Sequence, residues 1–188
     1  MIFHKCPSLD HLDRMTDSTG LIQHAIYSIP RRESGYTTDD NARALRLCAR
    51  LWDDRPDERM LGRVACYLSF LEHARCPVRG FHNFLSYQRD WLDAAGTGDC
   101  QGQAVLALSE VLGSSLPVGY RELARELLDD TRRELAHQYA SDGTLSASDI
   151  AYLLGFSEPS SLSRAMSRWK REGGAPPRTR RPRPRKQD

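Results

Sequence analysis

Two sets of side chains in this 188-residue chain have types and spacings that support chemistry. In the last third, Ser160, Ser161, Ser163, Arg164, Ser167 and Arg168 recur on one side of a helical repeat whose other side is Leu162, Ala165, Met166 and Trp169. Short hydroxyls let a helix approach base edges, and arginine forks onto guanine or clamps a phosphate, so this face suits the major groove of double-stranded DNA. A solvated amphipathic helix has the same pattern. Further on, Arg178, Arg180, Arg181, Arg183, Arg185 and Lys186 lie among prolines and are expected to bind phosphates without regard to sequence. A solubilising tail and a proline-rich ligand for a partner are the other readings of that stretch.

The second set is Tyr36, Asp39, Asp40, Asn41, Tyr87 and Trp91. Carboxylates and amides hydrogen-bond sugar hydroxyls or do acid–base work, and aromatic rings stack on pyranose faces, so these are candidate carbohydrate-binding residues. Taken alone, Asp39-Asp40-Asn41 equally describes the first turn of a helix. No catalytic residue is assigned, and no cofactor or metal is expected. The five cysteines, Cys6, Cys48, Cys66, Cys76 and Cys100, are odd in number and include no C-x-x-C pair, which points to reduced, mostly buried thiols rather than a zinc site or disulfide scaffold.

Charge separates the two sets. Residues 1–130 carry 15 Lys/Arg against 19 Asp/Glu, whereas residues 131–188 carry 12 against 6, and 10 of those 12 lie beyond position 163. A basic end of this kind attracts polyanions, nucleic acid foremost. With 39% hydrophobic and 28% charged residues the composition is that of a globular protein. The start lacks the basic and apolar blocks of a signal peptide and no run reaches membrane-span length, so the expected location is the cytoplasm with no membrane partner.

The elements that must position these residues are nearly all helical. Thr38–Asp53 has Ala42, Leu45, Leu47, Ala49 and Trp52 at helical spacing, with Thr38-Asp39-Asp40 as cap and first-turn carboxylates. Leu61, Val64, Ala65, Leu68 and Leu71 predict a helix from Glu58 to about Arg75, ended by Cys76-Pro77. Gly80–Tyr87 alternates aromatic and polar residues, as an extended segment does. Helices follow over Asp99–Leu112, from Pro117 through Tyr139, over Ser146–Leu154 and over Pro159–Arg171. At the end, Gly155 is expected to stop one helix, Phe156 to plug the crossing and Ser157 to cap the next. Ala175–Asp188, with four prolines and no large apolar side chain, is expected to be disordered.

The segment Asp149-Ile150-Ala151, Leu154-Gly155-Phe156, Ser161-Leu162, Arg164 and Met166 resembles the second helix-turn-helix of AraC/XylS transcription regulators, with Leu162 and Met166 where that family has phenylalanines. The resemblance extends back through Thr131–Ala136, which looks like the family's linker helix. It implies that Ser160, Ser161 and Arg164 lie on a groove-facing recognition helix. Family members carry two such units; one is found here. The order Gly35-Tyr36-x-Thr38-Asp39-Asp40-Asn41-Ala42-Arg43-Ala44-Leu45, followed by Ser86-Tyr87 and Trp91, resembles a carbohydrate-active (α/α) toroid family found with glycosyltransferases, over about residues 10–128. That resemblance implies helical hairpins, too few here to close a cleft.

The expected architecture is therefore all-α: an incomplete toroid-like set of helical hairpins over 1–128, a helix-turn-helix over 129–172 and a disordered basic tail over 173–188. The expected function is a sequence-specific DNA-binding regulator. The alternative is a truncated carbohydrate-active fragment without activity.

Overall fold

The computed structural model describes residues 8–76 and 80–171. Cys6 and the basic residues Arg178, Arg180, Arg181, Arg183, Arg185 and Lys186, with the tail expected to be disordered, lie outside the described residues. The protein is mostly helical, and the chain divides into two compact units, residues 1–132 and 133–188.

The first unit is built around α2 (Thr38–Asp54), which packs against both α3 (Glu58–His73) and α4 (Gly98–Gly113). A short helix α1 (Asp10–Met15) precedes them, and α5 (Val118–Asp142) begins in this unit and ends in the second. The domain boundary expected at 128/129 falls inside α5, which is one helix in the structure. Leu45, Tyr67, Leu68, Leu71, Phe81 and Leu108 lose nearly all their surface in a single cluster. Each such burial contributes about 1.5–3 kcal/mol before conformational entropy is counted.

Helical periodicity located these elements, but the buried face is turned from the expected stripe in places. On α2, Leu47 is exposed. On α3, Ala65 is exposed and Leu61 half-buried, while Met60, Tyr67 and Phe70 join Val64, Leu68 and Leu71 inside. The α2 cap is also one residue earlier than expected: the Thr37 hydroxyl accepts from the Asp40 backbone N–H, and Thr38 instead donates its hydroxyl to the His82 carbonyl at 2.6 Å. Asp57 caps α3 by accepting from Met60 N–H.

Three antiparallel two-residue ribbons qualify the all-helical expectation. β1 (Ala25–Ile26) pairs with β2 (Ile29–Pro30), β3 (Tyr36–Thr37) with β6 (Phe84–Leu85), and β4 (Arg75–Cys76) with β5 (Gly80–Phe81). The extended reading of Gly80–Tyr87 is thus realised as β5 and β6. Its partners were not legible, since two residues are too few to show alternation. Cys76, expected to end α3, is in β4.

The four described cysteines are free thiols, three buried and Cys66 half-buried. Burial pushes Cys48 and Cys100 up to about 12 and Cys66 to about 11. No described helix is long and apolar enough to cross a membrane.

Candidate nucleic-acid interface

In the second unit the end of α5 contributes Leu135 and Ala136 to a core completed by Ile150, Ala151, Leu154, Leu162, Ala165 and Trp169. These eight come from α5, from α6 (Ala147–Leu153) with the residue that follows it, and from α7 (Pro159–Arg171). Ser146 starts α6 with a reciprocal cap: its hydroxyl accepts from Asp149 N–H at 3.2 Å, and the Asp149 carboxylate accepts from Ser146 N–H at 3.1 Å. The Ser146 hydroxyl also donates to the Asp149 carboxylate at 2.6 Å, and this bond, then the one from Ser146 N–H, holds the Asp149 carboxyl below its ordinary range.

The α6 C-terminus is closed by two backbone bonds, Gly155 N–H to Tyr152 O at 3.0 Å and Phe156 N–H to Ala151 O at 2.9 Å. This 5→2 and 6→1 pair needs a left-handed residue at its centre, and Gly155 has φ +72°. The turn is therefore as the Leu-Gly-Phe order predicts. Phe156 is half-buried and packs against the core, less deeply than Leu154, which is 1% exposed. The two bonds turn the chain so that Leu154, before the glycine, is sealed in the core and Phe156, after it, packs at the core's margin.

On α7 the expected division of faces holds. Leu162, Ala165 and Trp169 are buried and Met166 half-buried, while Ser160, Ser163, Arg164, Ser167 and Arg168 are exposed and Ser161 half-buried. Ser163 donates to Pro159 O at 3.2 Å. No side-chain bond from Ser157 caps α7 among the described residues. Its neighbour Glu158 does the local bonding: Arg164 Nη2 donates to Glu158 Oε1 at 3.2 Å and to Ser161 Oγ at 2.9 Å, and Ser161 Oγ lies 3.5 Å from the same Glu158 oxygen. Hydrogen bonds from Ser160, then Arg164, hold the Glu158 carboxyl below its usual range. Sequence reasoning missed Glu158. The available signal was an acid immediately ahead of a helix-starting proline, which also reads as an ordinary first-turn carboxylate.

The six candidate sugar-binding residues in the first unit are not drawn into one open surface. Asn41 has no exposed surface; its amide donates to Thr37 O at 2.8 Å and its oxygen accepts from Leu21 N–H at 2.8 Å. Tyr36 is buried, donates its hydroxyl to Asp17 Oδ2 at 2.7 Å and stacks on Tyr87 at 6.2 Å between centroids. Asp39 and Asp40 both accept from Arg43 Nη1, at 3.0 and 3.2 Å, and Asp99 takes the other terminal nitrogen. Trp91 stacks on His82 at 4.9 Å and lies 5.5 Å from His73. The structure thus brings Tyr36 to Tyr87 and both carboxylates to one arginine, and it gives Trp91 histidine neighbours. These contacts tie Asn41 of α2 to the loop at Leu21, Tyr36 of β3 to the loop at Asp17, and Arg43 of α2 to Asp99 of α4.

Tyr36 supplies a pH test. Burial, and the hydrogen bond to Asp17, push its hydroxyl up to about 12, against an ordinary value of about 10. A raised folded value means the stabilisation is complete below pH 10 and is lost as pH rises toward 12, because the unfolded chain ionises first. The melting midpoint is expected to fall between pH 10 and 12, and to fall less in Tyr36→Phe. Equal alkaline slopes in both proteins contradict the assignment.

Comparison of the chain with protein-family models, with curated proteins and with solved structures returned no match.

Proposed function

We propose that α6 and α7 form a helix-turn-helix of the AraC/XylS type and that the protein is a sequence-specific, DNA-binding transcription regulator. The observation that carries this reading is α7 itself. One face is sealed into the core by Leu162, Ala165 and Trp169, and the other presents Ser160, Ser163, Arg164, Ser167 and Arg168 to solvent. Hydroxyls and guanidinium groups on a rigid helix can meet base edges in a major groove, where donors and acceptors distinguish all four base pairs. The capped α6 and the glycine turn support the reading by holding α7 at a defined angle rather than on a loose linker. The first unit we read, on the resemblance around Tyr36–Leu45, as (α/α) toroid-like helical hairpins whose polar motif serves their own fold.

One recognition helix contacts few phosphates, so binding to duplex DNA is expected to be weak and to fall steeply with salt. Removing residues 175–188 is expected to weaken binding to every sequence about equally, while Arg164→Ala flattens preference between sequences. Fluorescence anisotropy across salt concentrations checks both; no binding at low ionic strength refutes the reading.

A further inference from the structure

We infer that the β1–β2 hairpin is a membrane-docking device: Ile26, Tyr27 and Ile29 enter the interfacial layer of an anionic lipid bilayer while Arg31 and Arg32 meet its headgroups. The inference is independent of the DNA-binding reading, since the hairpin belongs to the first unit. In the register of this ribbon Ala25 lies opposite Pro30 and Ile26 opposite Ile29, so the two pairs point to opposite sides. Ala25 and Pro30 are half-buried, with Ala25 against the core. A ribbon side that meets only water is ordinarily polar. Here Ile26 is 57% and Ile29 67% exposed, and between them Tyr27 is 98% exposed. Tyr27 is also at φ +58°, where Gly or Asn is the ordinary choice in a two-residue hairpin loop and a bulky side chain costs energy. Neither backbone preference nor packing accounts for a tyrosine there. An exposed apolar cluster of this kind marks an interaction site.

The frame behind the tip is tied down and basic. Arg31 N–H donates to His24 O at 2.8 Å, His24 N–H to Ser34 Oγ at 3.1 Å and Gln23 N–H to Gly35 O at 2.9 Å. Arg31 and Arg32 are exposed. Arg31 pairs with Glu33, the one acid between Asp17 and Asp39, and Arg32 has no carboxylate partner among the described residues. Arg31 follows Ile29 by two residues, roughly 7 Å along a strand. Interfacial apolar faces bury about 5–10 Å into the boundary between headgroups and acyl chains, so an inserted tip leaves both arginines at headgroup depth. Tyrosine favours the same interfacial layer. Charge selects this occupant over a second copy: two hairpins meeting tip to tip would set Arg31 and Arg32 against their own duplicates, and three side chains fall well short of the ~800 Å² per partner of a stable interface. A screening length of about 8 Å confines what a headgroup feels to nearby charges rather than to the acidic balance of residues 1–130 as a whole. Peripheral docking needs no spanning helix, and none is found among the described residues.

The test uses the full chain and vesicles of phosphatidylcholine, alone or with about a third phosphatidylserine, read by co-sedimentation. The wild type is expected to bind the mixed vesicles, and Ile26→Ser/Tyr27→Ser/Ile29→Ser to weaken that binding about tenfold at an unchanged melting midpoint. Arg32→Gln is expected to weaken it about fivefold, and vesicles of phosphatidylcholine alone to bind little. The basic end of the chain also attracts anionic vesicles, so the comparison is repeated without residues 175–188, where the tenfold difference is expected to persist. Tyr27→Trp reads insertion directly in an otherwise intact hairpin: its added fluorescence is expected to shift to the blue and to be quenched by brominated lipid chains, beyond any change in the wild type. Absence of that quenching overturns the inference, whether or not the triple variant folds. So does vesicle binding that the triple variant leaves unchanged, or a wild type that binds no mixed vesicles. Self-association of the wild type that the triple variant abolishes, without lipid quenching, assigns the hairpin to a second copy instead.

Discussion

Leu154→Ala is expected to unfold the second unit, while Leu153→Ala, one residue earlier, leaves it intact. The two leucines are the same side chain in adjacent positions at the end of α6, yet Leu154 is 1% exposed and Leu153 is 59% exposed. Truncating a buried leucine removes its transfer energy and leaves a cavity, at a cost of about 2–5 kcal/mol. Truncating an exposed one costs within about 0.5 kcal/mol. Among the described residues the core of this unit has eight buried residues, three of them alanines, so loss of one leucine is a large share of its stability. Hydrogen exchange on the full chain reads the result locally. Amides of 147–171 are expected to lose protection in Leu154→Ala, while α2, α3 and α4 keep theirs. Phe156→Ala, at a half-buried position, is expected to fall between the two leucine variants. A Leu153→Ala effect equal to that of Leu154→Ala would mean that α6 is rotated from the packing described.

Gly35→Ala is expected to be the most damaging single substitution in the first unit. Gly35 has φ +65° and ψ −145°, a region open essentially to glycine alone. A methyl group there would stand 2.2 Å from the Leu85 carbonyl oxygen, which is backbone and cannot rotate away. The left-handed strain costs about 1–2 kcal/mol and the steric conflict roughly 1–3 kcal/mol more. The damage falls on the β3–β6 pairing, in which Tyr36 lies opposite Leu85, and so on the Tyr36–Asp17 bond. Gly62→Ala is the internal control. Gly62 is inside α3 with nothing within 4 Å of the added carbon, and alanine there is expected to stabilise by roughly 0.5–1 kcal/mol. Thermal melts of the two variants are expected to move in opposite directions; a Gly35→Ala midpoint at or above wild type contradicts the tight approach.

What could be read without coordinates followed from local rules. The bounds of α2, α4, α6 and α7 came within a residue or two, because apolar spacing, caps and breakers act over one or two turns of chain. Gly155 was legible as a turn for the same reason, and so was the split of α7 into apolar and Ser/Arg faces. The motif around Tyr36–Asn41 was visible as a dense polar string, but its use was not. Whether an amide or a phenol faces solvent depends on what lies opposite, and the partners are Leu21, Asp17 and Tyr87, brought from other parts of the chain.

Residue types and spacing by themselves determined a mostly helical chain, a basic end, and a final helix with one apolar and one Ser/Arg face. Tertiary structure decided the remainder. It put Asn41 and Tyr36 inside the first unit, left Phe156 only half-buried at the margin of the second core, and folded Arg164 back onto Glu158. The physical reason is common to all three. Periodicity specifies that a side is buried, but a residue at the margin of that side is assigned by backbone geometry a few residues away, as at Gly155, or by a partner contributed from elsewhere. Neither is encoded in the spacing of apolar residues.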